Sequence, residues 1–586
     1  MTGLAHLLRA RWRSRPVPIW YHPSYRLPLP ALDEPGSLDL RRADLAVWYL
    51  TARRLLDPAD LRTPVPVSYA DLERVHIGPY LEGLARPDML ARIFAVDPSQ
   101  VVVDEVLRTV RMACGGTVAA ARECLAAGGA ALNLLGGFHH AAPDRGGGLC
   151  AFNDIAVALA VLRADGFGER AAVLDLDAHP PDGTAACLQG DPLTWLGSLS
   201  GSDWGQVEGA DEVLLPPGID DPAYLAALEG LLARMPRPHL AFVVAGGDVL
   251  AGDRFGRLGL TLDGARRRDL RVAEALDGIP TVWLPGGGYH DDAWRVLAGT
   301  ALALTRASTE PVPSEPDPMS LHFAAISAGL EPARLHQQGE LTQEDLEAQL
   351  MERPHRSPSL LGYYTADGIE YALHQFGVLA LLERLGYGRF RVVIDSVAGQ
   401  GDRARLFGCA AGGTDEHLLV ECALDREKVG PDELLYIHWL SLRNPRARFG
   451  EKRPRLPGQE APGLGLAREM GALLTRVAER LGLVGLAFRP AYYHTAYVAR
   501  RRFRFIEPAR QGRFEALTRD LGRLPLAQVT TAVAEGRVQM NQAPYRWEPD
   551  MMASFREPRP IDEAEVSKER ERVHFALAAE PGGSHG

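Results

Sequence analysis

The sequence predicts an α/β protein, an open parallel sheet with helices on both faces, followed by a second α+β domain. Short apolar runs alternate with helix-like stretches over residues 18–305, and this alternation is typical of parallel α/β sheets. Each apolar run ends in Gly, Asp or His. From about residue 306 the composition shifts to proline and acidic residues, which indicates a linker before the second domain.

Length and composition bound the class of protein. The 586 residues are too many for one hydrophobic core, so two or more domains are expected. The net charge of −11 argues against a general binder of nucleic acid or anionic membranes. None of the six cysteines forms a CxxC pair, which argues against a disulfide framework and for a reducing compartment. Without a secretory signal or an apolar run near 20 residues, we expect a cytoplasmic protein.

The predicted strands of the first block place polar residues at one edge of the sheet. The strand-like runs are ALNLLGG (131–137), AAVLDLDAH (171–179), HLAFVVAGG (239–247) and PTVWLPGGG (280–288). Helix-like stretches at 109–128 and 222–235 lie between them. Because ligand sites in open α/β sheets lie beyond the carboxyl ends of the strands, we expect a site where these runs end.

The end of the second run predicts a metal site. Alternate residues of a strand share a face, so Asp177 and His179 can reach one ion together. Asp253, which follows the next strand, would complete a mixed nitrogen and oxygen donor set. Two carboxylates and one imidazole leave coordination positions open, as in catalytic rather than structural metal sites. Such a set suits Zn²⁺ or Fe²⁺.

Acid–base groups follow the other runs. His139 and His140 can act as general acid and base, and each needs a carboxylate to fix its tautomer. Asp175 and Asp182 are available for that role, and Tyr289 can donate to a tetrahedral oxyanion. Taken alone, a histidine pair is usually structural, and the glycine-rich stretches are common turns. Four clusters of polar residues follow strand ends, and they contain His139 and His140, Asp175 to Asp182, Asp253, and Tyr289. Their coincidence in one α/β block favours a hydrolytic metal centre.

These residues resemble a known family over about residues 18–305. GGFHHAAPDRGGGLCAFNDIAVA, VLDLDAHPPDGTA, LLPPGIDDPAYLAAL, AGGDVLAGDRFGRLGLT and LPGGGY are similar to histone deacetylases and the related bacterial acyl-lysine deacylases. The DRGGG, DLDAH and GDRFGRL variants resemble the class IV branch most. The resemblance implies an arginase-like open parallel sheet and zinc-dependent hydrolysis of an acyl-lysine amide.

The resemblance also implies a role for each residue. The zinc ligands of the family fall on Asp177, His179 and Asp253. His140, backed by Asp182, is the implied general base and acid. His139, backed by Asp175, is its electrostatic partner, and Tyr289 polarises the carbonyl. A structural K⁺ is implied at the Asp175 carboxylate and the backbone carbonyls of Asp177 and His179.

Departures from the family pattern suggest the shape of the substrate channel. Leu149 stands where an aromatic residue usually lines the channel, so we expect tolerance of acyl groups longer than acetyl. Leu260 is assigned to the position where polyamine deacetylases carry a gatekeeper glutamate, which favours acyl-lysine over polyamines. Gly148, Phe152 and Gly287 are also predicted to line the channel.

The second block, about 358–550, resembles the core of GNAT-superfamily acetyltransferases. LLYIHWLSLRNP, APGLGLAREMGALLTRVAERLGL and VGLAFRPAYYHTAYVARRRFRFIEP are predicted as strand, glycine turn, helix, strand and helix. The resemblance implies that backbone N–H groups near the helix start bind the pyrophosphate of acetyl-CoA. These groups belong to Gly463, Leu464, Gly465 and Leu466.

Two departures leave the activity of this block open. Glu460 stands where Gln or Arg usually opens the phosphate turn, and Arg500 stands where the family carries its general acid tyrosine. Tyr493 and Tyr497 are the nearest replacements. The alternatives are an active acetyltransferase, a domain that only binds acyl-CoA, and a domain that binds a partner protein.

The predicted organisation is therefore a deacetylase-like domain (1–305), a linker with a short helix (306–357), a GNAT-like domain (358–560) and a disordered tail (561–586). The leading hypothesis is a bacterial-type zinc-dependent lysine deacylase acting on acylated lysine in proteins or peptides. Its rivals are a small-molecule amide hydrolase that acts on an acylated amine at the same site, and a non-catalytic sensor of acyl-lysine or acyl-CoA.

Overall fold

The chain folds into two compact units, Met1–His322 and Phe323–Gly586. The computed structural model describes residues 17–33, 38–205, 207–305, 308, 310–315, 317–336, 359–450, 453–557 and 559–578. The division between the units falls inside a helix, Pro318–Gly329, and not at residue 305 as the composition suggested. The short helix predicted at 341–353 lies outside the described residues.

The first unit is built on an open, fully parallel sheet, as predicted. Its strands are β1 (Ile19–Trp20), β2 (Leu61–Arg62), β3 (Ala130–Asn133), β4 (Ala171–Asp175), β5 (Thr194–Ser200), β6 (Asp211–Leu214), β7 (Leu240–Val244) and β8 (Thr281–Leu284). They lie in the order β2-β1-β3-β8-β7-β4-β5-β6, and every neighbouring pair is parallel.

Helices connect these strands. They are α1 (Arg42–Ala52), α2 (Tyr69–Leu72), α3 (Gly78–Gly83), α4 (Pro87–Phe94), α5 (Val103–Ala127), α6 (Asp154–Ala164), α7 (Asp182–Cys187), α8 (Asp221–Arg234), α9 (Leu262–Ala275) and α10 (Ala293–Leu304). Side-chain caps define several starts. Asn153, Asp220 and Thr261 each accept a hydrogen bond from a backbone N–H in the first turn of α6, α8 and α9.

Both faces of the sheet are covered by helices. All five residues of β4 and all five of β7 are buried, including side chains that point to opposite faces. Phe242 and Val244 of β7 belong to a core cluster with residues of α5 and α6, whereas Val243 points the other way. This burial on both sides explains why the strands read as continuous apolar runs rather than as an alternating pattern.

The site-bearing segments follow four strands that are neighbours in the centre of the sheet. The order β3-β8-β7-β4 brings together the segments after Asn133, Leu284, Val244 and Asp175. Because the strands are parallel, these four segments leave the same edge of the sheet.

The second unit is a mixed α+β domain. Its helices are α11 (Pro318–Gly329, which crosses the division between the units), α12 (Pro332–His336), α13 (Ala366–Gln375), α14 (Val378–Arg384), α15 (Ala467–Arg480), α16 (Tyr493–Ala499), α17 (Pro508–Leu521), α18 (Leu526–Ala534) and α19 (Glu563–Arg572). Its strands are β9 (Tyr387–Val397), β10 (Gly401–Ala410), β11 (Glu416–Val429), β12 (Asp432–Leu442), β13 (Gly485–Phe488), β14 (Arg504–Phe505), β15 (Val538–Met540), β16 (Ala543–Pro544), β17 (Met552–Phe555) and β18 (Phe575–Leu577).

A seven-stranded sheet forms the body of this unit, in the order β14-β17-β13-β12-β11-β10-β9. Strands β9 to β12 pair antiparallel, whereas β12 and β13 pair parallel and are connected through α15. The parallel pairing covers only Leu435 to Ile437 of β12. Among the described residues, the remaining part of β12, His438–Leu442, pairs with β11 on one side only.

The segment predicted as a disordered tail contains ordered structure. Helix α19 packs against α17, and β18 pairs antiparallel with β15 in a three-stranded sheet. Val566 and Phe575 are buried. The charge-rich composition of 561–578 was misleading because a few apolar residues at the right spacing are enough to dock a short helix and strand. Residues 579–586, the rest of the predicted tail, lie outside the described residues.

No helix among the described residues is both long and apolar enough to cross a membrane.

Candidate active site

Two carboxylates and one imidazole converge beyond the ends of β4 and β7. One ligand atom from each of Asp177, His179 and Asp248 lies within 4.8 Å of the other two. The Nδ1 atom of His179 lies 3.1 Å from Oδ1 of Asp177 and 3.0 Å from Oδ2 of Asp248. Both carboxyl groups are fully buried. Burying two acids side by side is unfavourable without a cation, so this donor set fits a divalent metal ion.

The third carboxylate of this cluster is Asp248, which corrects the prediction of Asp253. Oδ1 of Asp253 accepts from the backbone N–H groups of Phe255 and Gly256 at 3.0 and 3.1 Å. Its Oδ2 accepts from the N–H of Tyr289 at 2.8 Å. The Asp253 carboxylate is therefore used to shape its own turn and to fix the backbone of the tyrosine segment.

Each histidine of the pair after β3 lies against a carboxylate, as the sequence predicts. Nδ1 of His139 lies 2.9 Å from Oδ2 of Asp175, and Nδ1 of His140 lies 2.7 Å from Oδ1 of Asp182. The two rings lie 4.0 Å apart between centroids. Each Nε2 is left to face the metal cluster or substrate, because its Nδ1 is held by a carboxylate.

The two histidines have opposite acid–base character. Burial and the neighbouring His139 ring lower the pKa of His140 to about 4. Against the opposing effect of burial, the carboxylates of Asp175 and Asp177 raise the pKa of His139 to about 9. Near pH 7 the metal-free site therefore holds a neutral His140, able to accept a proton, beside a protonated His139.

The metal cluster itself is short of positive charge. Burial and the nearby Asp177 carboxylate raise the pKa of Asp248 to about 7. Against the opposing effect of burial, Asp177 and Asp248 raise the pKa of His179 to about 10. Both shifts mean that the cluster takes up protons when no cation is present, and a metal ion would take the place of those protons.

The glycine-rich segment after β8 closes the site. The N–H of Gly287 donates to Oδ2 of Asp177 at 2.5 Å, and a Cβ at Gly287 would lie 2.6 Å from an oxygen of Asp248. Only glycine allows the backbone to come this close. The guanidinium of Arg42 donates to the carbonyls of Gly287 and Gly286 at 2.7 and 2.8 Å. Tyr289, the next predicted site residue, is thereby held at the edge of the cluster.

The predicted channel residues fall into two groups. Gly148 lies against the catalytic pair, because a Cβ there would lie 2.4 Å from the His140 ring. Leu149 follows it, half-buried, with a positive φ of 66°. Phe152 and Leu260 do not line a channel. Both are buried in the interior, where Phe152 packs against His76 and Leu260 forms a backbone bridge with Leu250.

Three residues at the site were not anticipated. The exposed indole of Trp204 lies 5.0 Å from the His140 ring and 5.7 Å from the His179 ring. The exposed ring of Phe255 packs edge-on against Tyr289 at 4.7 Å. The signal in the sequence was an aromatic residue in the segment that follows a strand, and it was present for Trp204 and Phe255. Arg42 comes from the start of α1, far away in the chain, and carried no local signal.

The strand neighbour of Asp175 carries a buried hydroxyl group without a hydrogen-bond partner among the described residues. Ser198 of β5 pairs with Asp175 of β4 in the sheet and is fully buried. Within the described part of the chain its Oγ has no hydrogen-bond partner. A buried hydroxyl without a partner is costly, and it fits a site where a bound cation supplies the missing contact.

In the second unit, the predicted phosphate-binding residues precede α15 as expected. Leu464 and Leu466 are buried, and Gly465 has a positive φ of 71°. The carboxylate of Glu460 lies 2.8 Å from the guanidinium of Arg443. Glu469, in the first turn of α15, is buried. Two acidic side chains therefore stand close to the place where phosphates would bind.

The predicted replacements for a general acid differ in their exposure. Tyr493 is buried, and its hydroxyl lies 3.5 Å from Thr518. The Tyr497 ring lies under the guanidinium of Arg500, 3.6 Å from the ring centroid. Tyr493 is therefore closed off from solvent, whereas Tyr497 is half-buried with one face of its ring under Arg500.

Comparison with known proteins places the first unit in a family. Residues 38–305 match the family described as "Histone deacetylase domain". An uncharacterized protein of Picosynechococcus is 34% identical over 295 residues, which cover 47% of this chain and 95% of that protein. Histone deacetylase 2 of Arabidopsis thaliana is 31% identical over 308 residues, 50% of this chain and 79% of that protein.

A solved structure described as a histone deacetylase homolog from Aquifex aeolicus is 24% identical, with a TM-score of 0.45, and covers 52% of this chain and 88% of that one. The Arabidopsis relative is more than 30% identical and is covered over more than two thirds of its length, and the domain match names the same family. The chain therefore belongs to the histone deacetylase family and is a hydrolase of the deacetylase type.

Proposed function

We propose that the first unit is a zinc-dependent lysine deacylase. The observation that carries the proposal is the convergence of Asp177, His179 and Asp248 beside the His140–Asp182 pair and the tyrosine segment. The three ligands provide two oxygens and one nitrogen and leave room for water and substrate, which suits Zn²⁺, with Fe²⁺ as the alternative. When bound, the metal supplies a lowered pKa for a water molecule and polarisation of the amide carbonyl.

In the proposed reaction His140 moves the proton. Its low pKa keeps Nε2 unprotonated near pH 7, so that it accepts a proton as water adds to the amide carbon. The Asp182 carboxylate, 2.7 Å from Nδ1, holds the ring and stabilises the charge that develops on it. The same proton then passes to the amine nitrogen as the C–N bond breaks, which yields a carboxylic acid and a free amine, and the acid then gives its proton to the amine or to solvent.

His139 and Tyr289 act on charge rather than on the transferred proton. Asp175, 2.9 Å from Nδ1 of His139, orients the ring, and a proton on Nε2 would favour the negative charge that develops on the carbonyl oxygen. The hydroxyl of Tyr289 donates to the same oxygen. Asp253 holds the Tyr289 backbone from behind and Arg42 holds the preceding glycines, so the tyrosine is positioned before substrate arrives.

We also propose that a structural K⁺ is bound beside the metal site, through the Asp175 carboxylate, the Ser198 hydroxyl and the backbone carbonyls of Asp177 and His179. The unpartnered Ser198 Oγ supports this assignment. A monovalent cation there would offset part of the negative charge of the adjacent carboxylates.

The proposed substrate is an acylated lysine in a protein or peptide. Exposed Trp204 and Phe255 lie beside His140 and Tyr289, where they can pack on the aliphatic part of a lysine side chain. Leu149, next to Gly148, is smaller than the aromatic residue that is usual at this position, which supports tolerance of acyl chains longer than acetyl. The rival substrate is a small acylated amine that enters the same site. The six unpaired cysteines support a reducing, cytoplasmic location.

A fluorogenic acyl-lysine assay with zinc tests the hydrolytic proposal. His140→Ala and Tyr289→Phe are expected to lower kcat on the order of 10²-fold or more. His239→Ala and Tyr69→Phe are matched controls, since both side chains are exposed and lie outside the site. Hydrolysis that is unchanged in both site variants would refute the mechanism. Turnover of small acylated amines but not of acyl-lysine peptides would favour the rival substrate.

For the second unit we propose a GNAT-like domain that binds acyl-CoA without being an efficient acetyltransferase. Support comes from the parallel pair β12 and β13, connected through α15, and from the edge of β12 at His438–Leu442 that pairs with β11 only. Tyr493 is buried, and the Tyr497 ring is stacked under the Arg500 guanidinium, which argues against either as an efficient general acid. The Glu460–Arg443 pair predicts weak binding of the pyrophosphate. The rival is a domain that only binds a partner protein.

Calorimetric titration of the whole chain with acetyl-CoA tests this proposal. Weak but saturable binding without transfer to amine acceptors is expected. An absence of binding at millimolar acetyl-CoA would favour the partner-binding alternative, and rapid acetyl transfer would show that a catalytic acid has been overlooked.

A further inference from the structure

The segment that carries the histidine pair is held by buried side chains from the start of α6. Residues Gly136–Ala142 form no regular helix or strand, yet they must hold two rings against two carboxylates and a metal cluster. Two adjacent residues, Asn153 and Asp154, hold this segment at both ends. Neither takes part in the reaction described above.

Asp154 holds the segment in front of the histidines. One of its oxygens accepts from the N–H of Phe138 at 2.8 Å, and the other accepts from the N–H of Gly137 at 3.1 Å. The hydroxyl of Thr117 donates to the second oxygen at 2.7 Å. The carboxylate is fully buried. It therefore fixes the backbone N–H groups of Gly137 and Phe138, the two residues that precede His139.

Asn153 holds the segment behind the histidines. Its Nδ2 donates to the carbonyl of Ala141 at 3.1 Å and to the hydroxyl of Thr184 at 3.0 Å. The backbone N–H of Thr184 donates in turn to the carbonyl of His139 at 2.8 Å. The carbonyl groups of His139 and Ala141, the residues on either side of His140, are thus tied to one buried amide, directly at Ala141 and through Thr184 at His139.

His76, between α2 and α3, connects the start of α6 with the end of the histidine segment. Its Nε2 accepts from the N–H of Asn153 at 3.1 Å, which leaves Nδ1 to donate to the carbonyl of Ala142 at 3.0 Å. The ring is buried and packs against Phe152. These contacts tie the backbone of Asn153 to Ala142, at the end of the histidine segment.

Helix capping alone does not account for this arrangement. The side-chain oxygen of Asn153 caps α6 by accepting from the N–H of Ala156 at 3.0 Å, and Ser, Thr or Asp would do the same. Only an amide also supplies the donor that reaches Ala141 and Thr184. Helix capping likewise does not explain why the carboxylate of Asp154 points back towards Gly137 and Phe138.

We propose that Asn153 and Asp154 form a clamp that positions the histidine pair for catalysis. They are positioning residues, since they act through the backbone of the segment and touch neither metal ligand nor substrate. The inference rests on the catalytic roles proposed for His139 and His140. Release of the clamp would let the rings shift relative to Asp175 and Asp182, and a misplacement near 1 Å can cost about 10²-fold in rate.

The experiment compares Asn153→Ser and Asp154→Asn in the zinc-loaded whole chain. Serine keeps a capping oxygen and removes the amide donor. Asparagine keeps one acceptor oxygen and turns an amide N–H group towards a backbone N–H. Both variants are expected to lower kcat by about 10- to 100-fold, with KM changed by less than about twofold and the bound zinc per chain unchanged. Thr117→Val, which leaves both backbone contacts of Asp154 in place, is expected to lower kcat less than Asp154→Asn.

Two controls separate positioning from general destabilisation. Asp220→Ser changes a cap in the same way on α8, and Asn444→Ser removes a buried amide in the second unit, where its oxygen accepts from Tyr387. Both are expected to retain kcat even if the thermal midpoint falls as far as in Asn153→Ser. If the controls lose kcat in proportion to their midpoints, the clamp is only structural and the proposal is overturned.

His140→Ala separates a failure of the proposed catalytic mechanism from a failure of the clamp. Full activity in His140→Ala would overturn the proposed mechanism, whatever the clamp variants do. A large loss in His140→Ala together with normal kcat in folded Asn153→Ser and Asp154→Asn would overturn the clamp alone. Loss of bound zinc, or a rise in KM with kcat preserved, would also overturn it. If Asn153→Ser fails to fold, Asp154→Asn and Thr117→Val decide by the same kcat and KM criteria.

Discussion

The metal cluster of the first unit and the loop before α15 in the second unit both contain acidic side chains, but they differ in burial and in how the charge is balanced. Asp177 and Asp248 are fully buried, whereas Glu460 is exposed. Among the described residues, no arginine donates to Asp177 or Asp248, and nearby Arg42 donates to backbone carbonyls instead. Before α15, by contrast, Glu460 is already paired with Arg443. An unbalanced set of buried acids indicates a site that needs a cation, whereas a paired set is typical of a structural ion pair.

The largest expected effect comes from the third carboxylate of the cluster. Asp248→Asn should abolish zinc binding at stoichiometric concentration and lower hydrolysis by about 10³-fold or more, because one anionic ligand of three is lost. Asp253→Asn should keep its zinc and lose far less activity. Zinc per chain by mass spectrometry and the acyl-lysine assay check both. Loss of zinc only in Asp253→Asn would reverse the assignment.

The next effect concerns stability of the metal-free chain against pH. The folded pKa of about 9 for His139 and about 10 for His179 both exceed the unfolded value near 6.5. The folded chain therefore binds more protons, and the stabilisation is complete below pH 6.5 and is lost as pH rises through 9 to 10. The loss should reach about 3 kcal/mol for His139 alone.

Chemical denaturation of the metal-free chain at pH 7 and pH 9.5 measures this loss. Zinc should flatten the dependence, since it replaces the proton on His179. The second unit offers a contrast, because burial lowers the pKa of His494 to about 4. That residue should cost stability only as pH falls from 6.5 towards 4. A metal-free chain that is equally stable at both pH values would contradict the charge comparison.

A smaller effect is expected at the loop before α15. Gly465→Val should lower acetyl-CoA affinity by about tenfold, because a β-branched residue at φ 71° strains the loop by about 1–3 kcal/mol. Gly430→Val is the matched control, since Gly430 also has a positive φ, of 61°, but lies in the hairpin between β11 and β12. Equal loss of binding in both variants would indicate general destabilisation of the domain.

The smallest effect is expected at Leu149. Leu149→Phe should leave deacetylation within about threefold and reduce hydrolysis of long acyl chains relative to acetyl, because an aromatic ring narrows the space beside Gly148. The ratio of kcat/KM for octanoyl- and acetyl-lysine peptides measures the change. A ratio that does not move would show that acyl length is read elsewhere, for example at Trp204.

The sequence predicted the residues whose position follows from strand alternation. Asp175, Asp177 and His179 leave one parallel strand, and His139 and His140 leave another, so their meeting at one edge required only the fold class. The choice between Asp248 and Asp253 depended on a turn five residues long. The structure brings Asp248 inward because Gly246 lies against it, where a Cβ would lie 2.5 Å from a carboxylate oxygen. The glycine pair before Asp248 was the signal that was overlooked.

Residues contributed by distant segments could not be predicted in this way. Arg42, Trp204 and His76 reach the site or its support through the tertiary fold, and none has a spacing that relates it to the histidine pair. The prediction that Phe152 and Leu260 line the channel met a different obstacle, because both side chains are buried in the interior. Their places in the family pattern suggested a channel, but packing decides whether an apolar side chain faces a channel or the core.

The strand at the end of the chain has a practical consequence for anyone who shortens this protein. Truncation after residue 560, where composition alone would place the end of the domain, removes the partner of β15 and leaves the backbone of Val538–Met540 with one neighbour. It also removes Val566 and Phe575 and exposes the apolar surface against which they are buried. Burial of each of these side chains contributes about 1.5–3 kcal/mol to stability. A newly exposed strand edge beside an apolar patch favours aggregation, so shortened forms should retain at least residues 561–578.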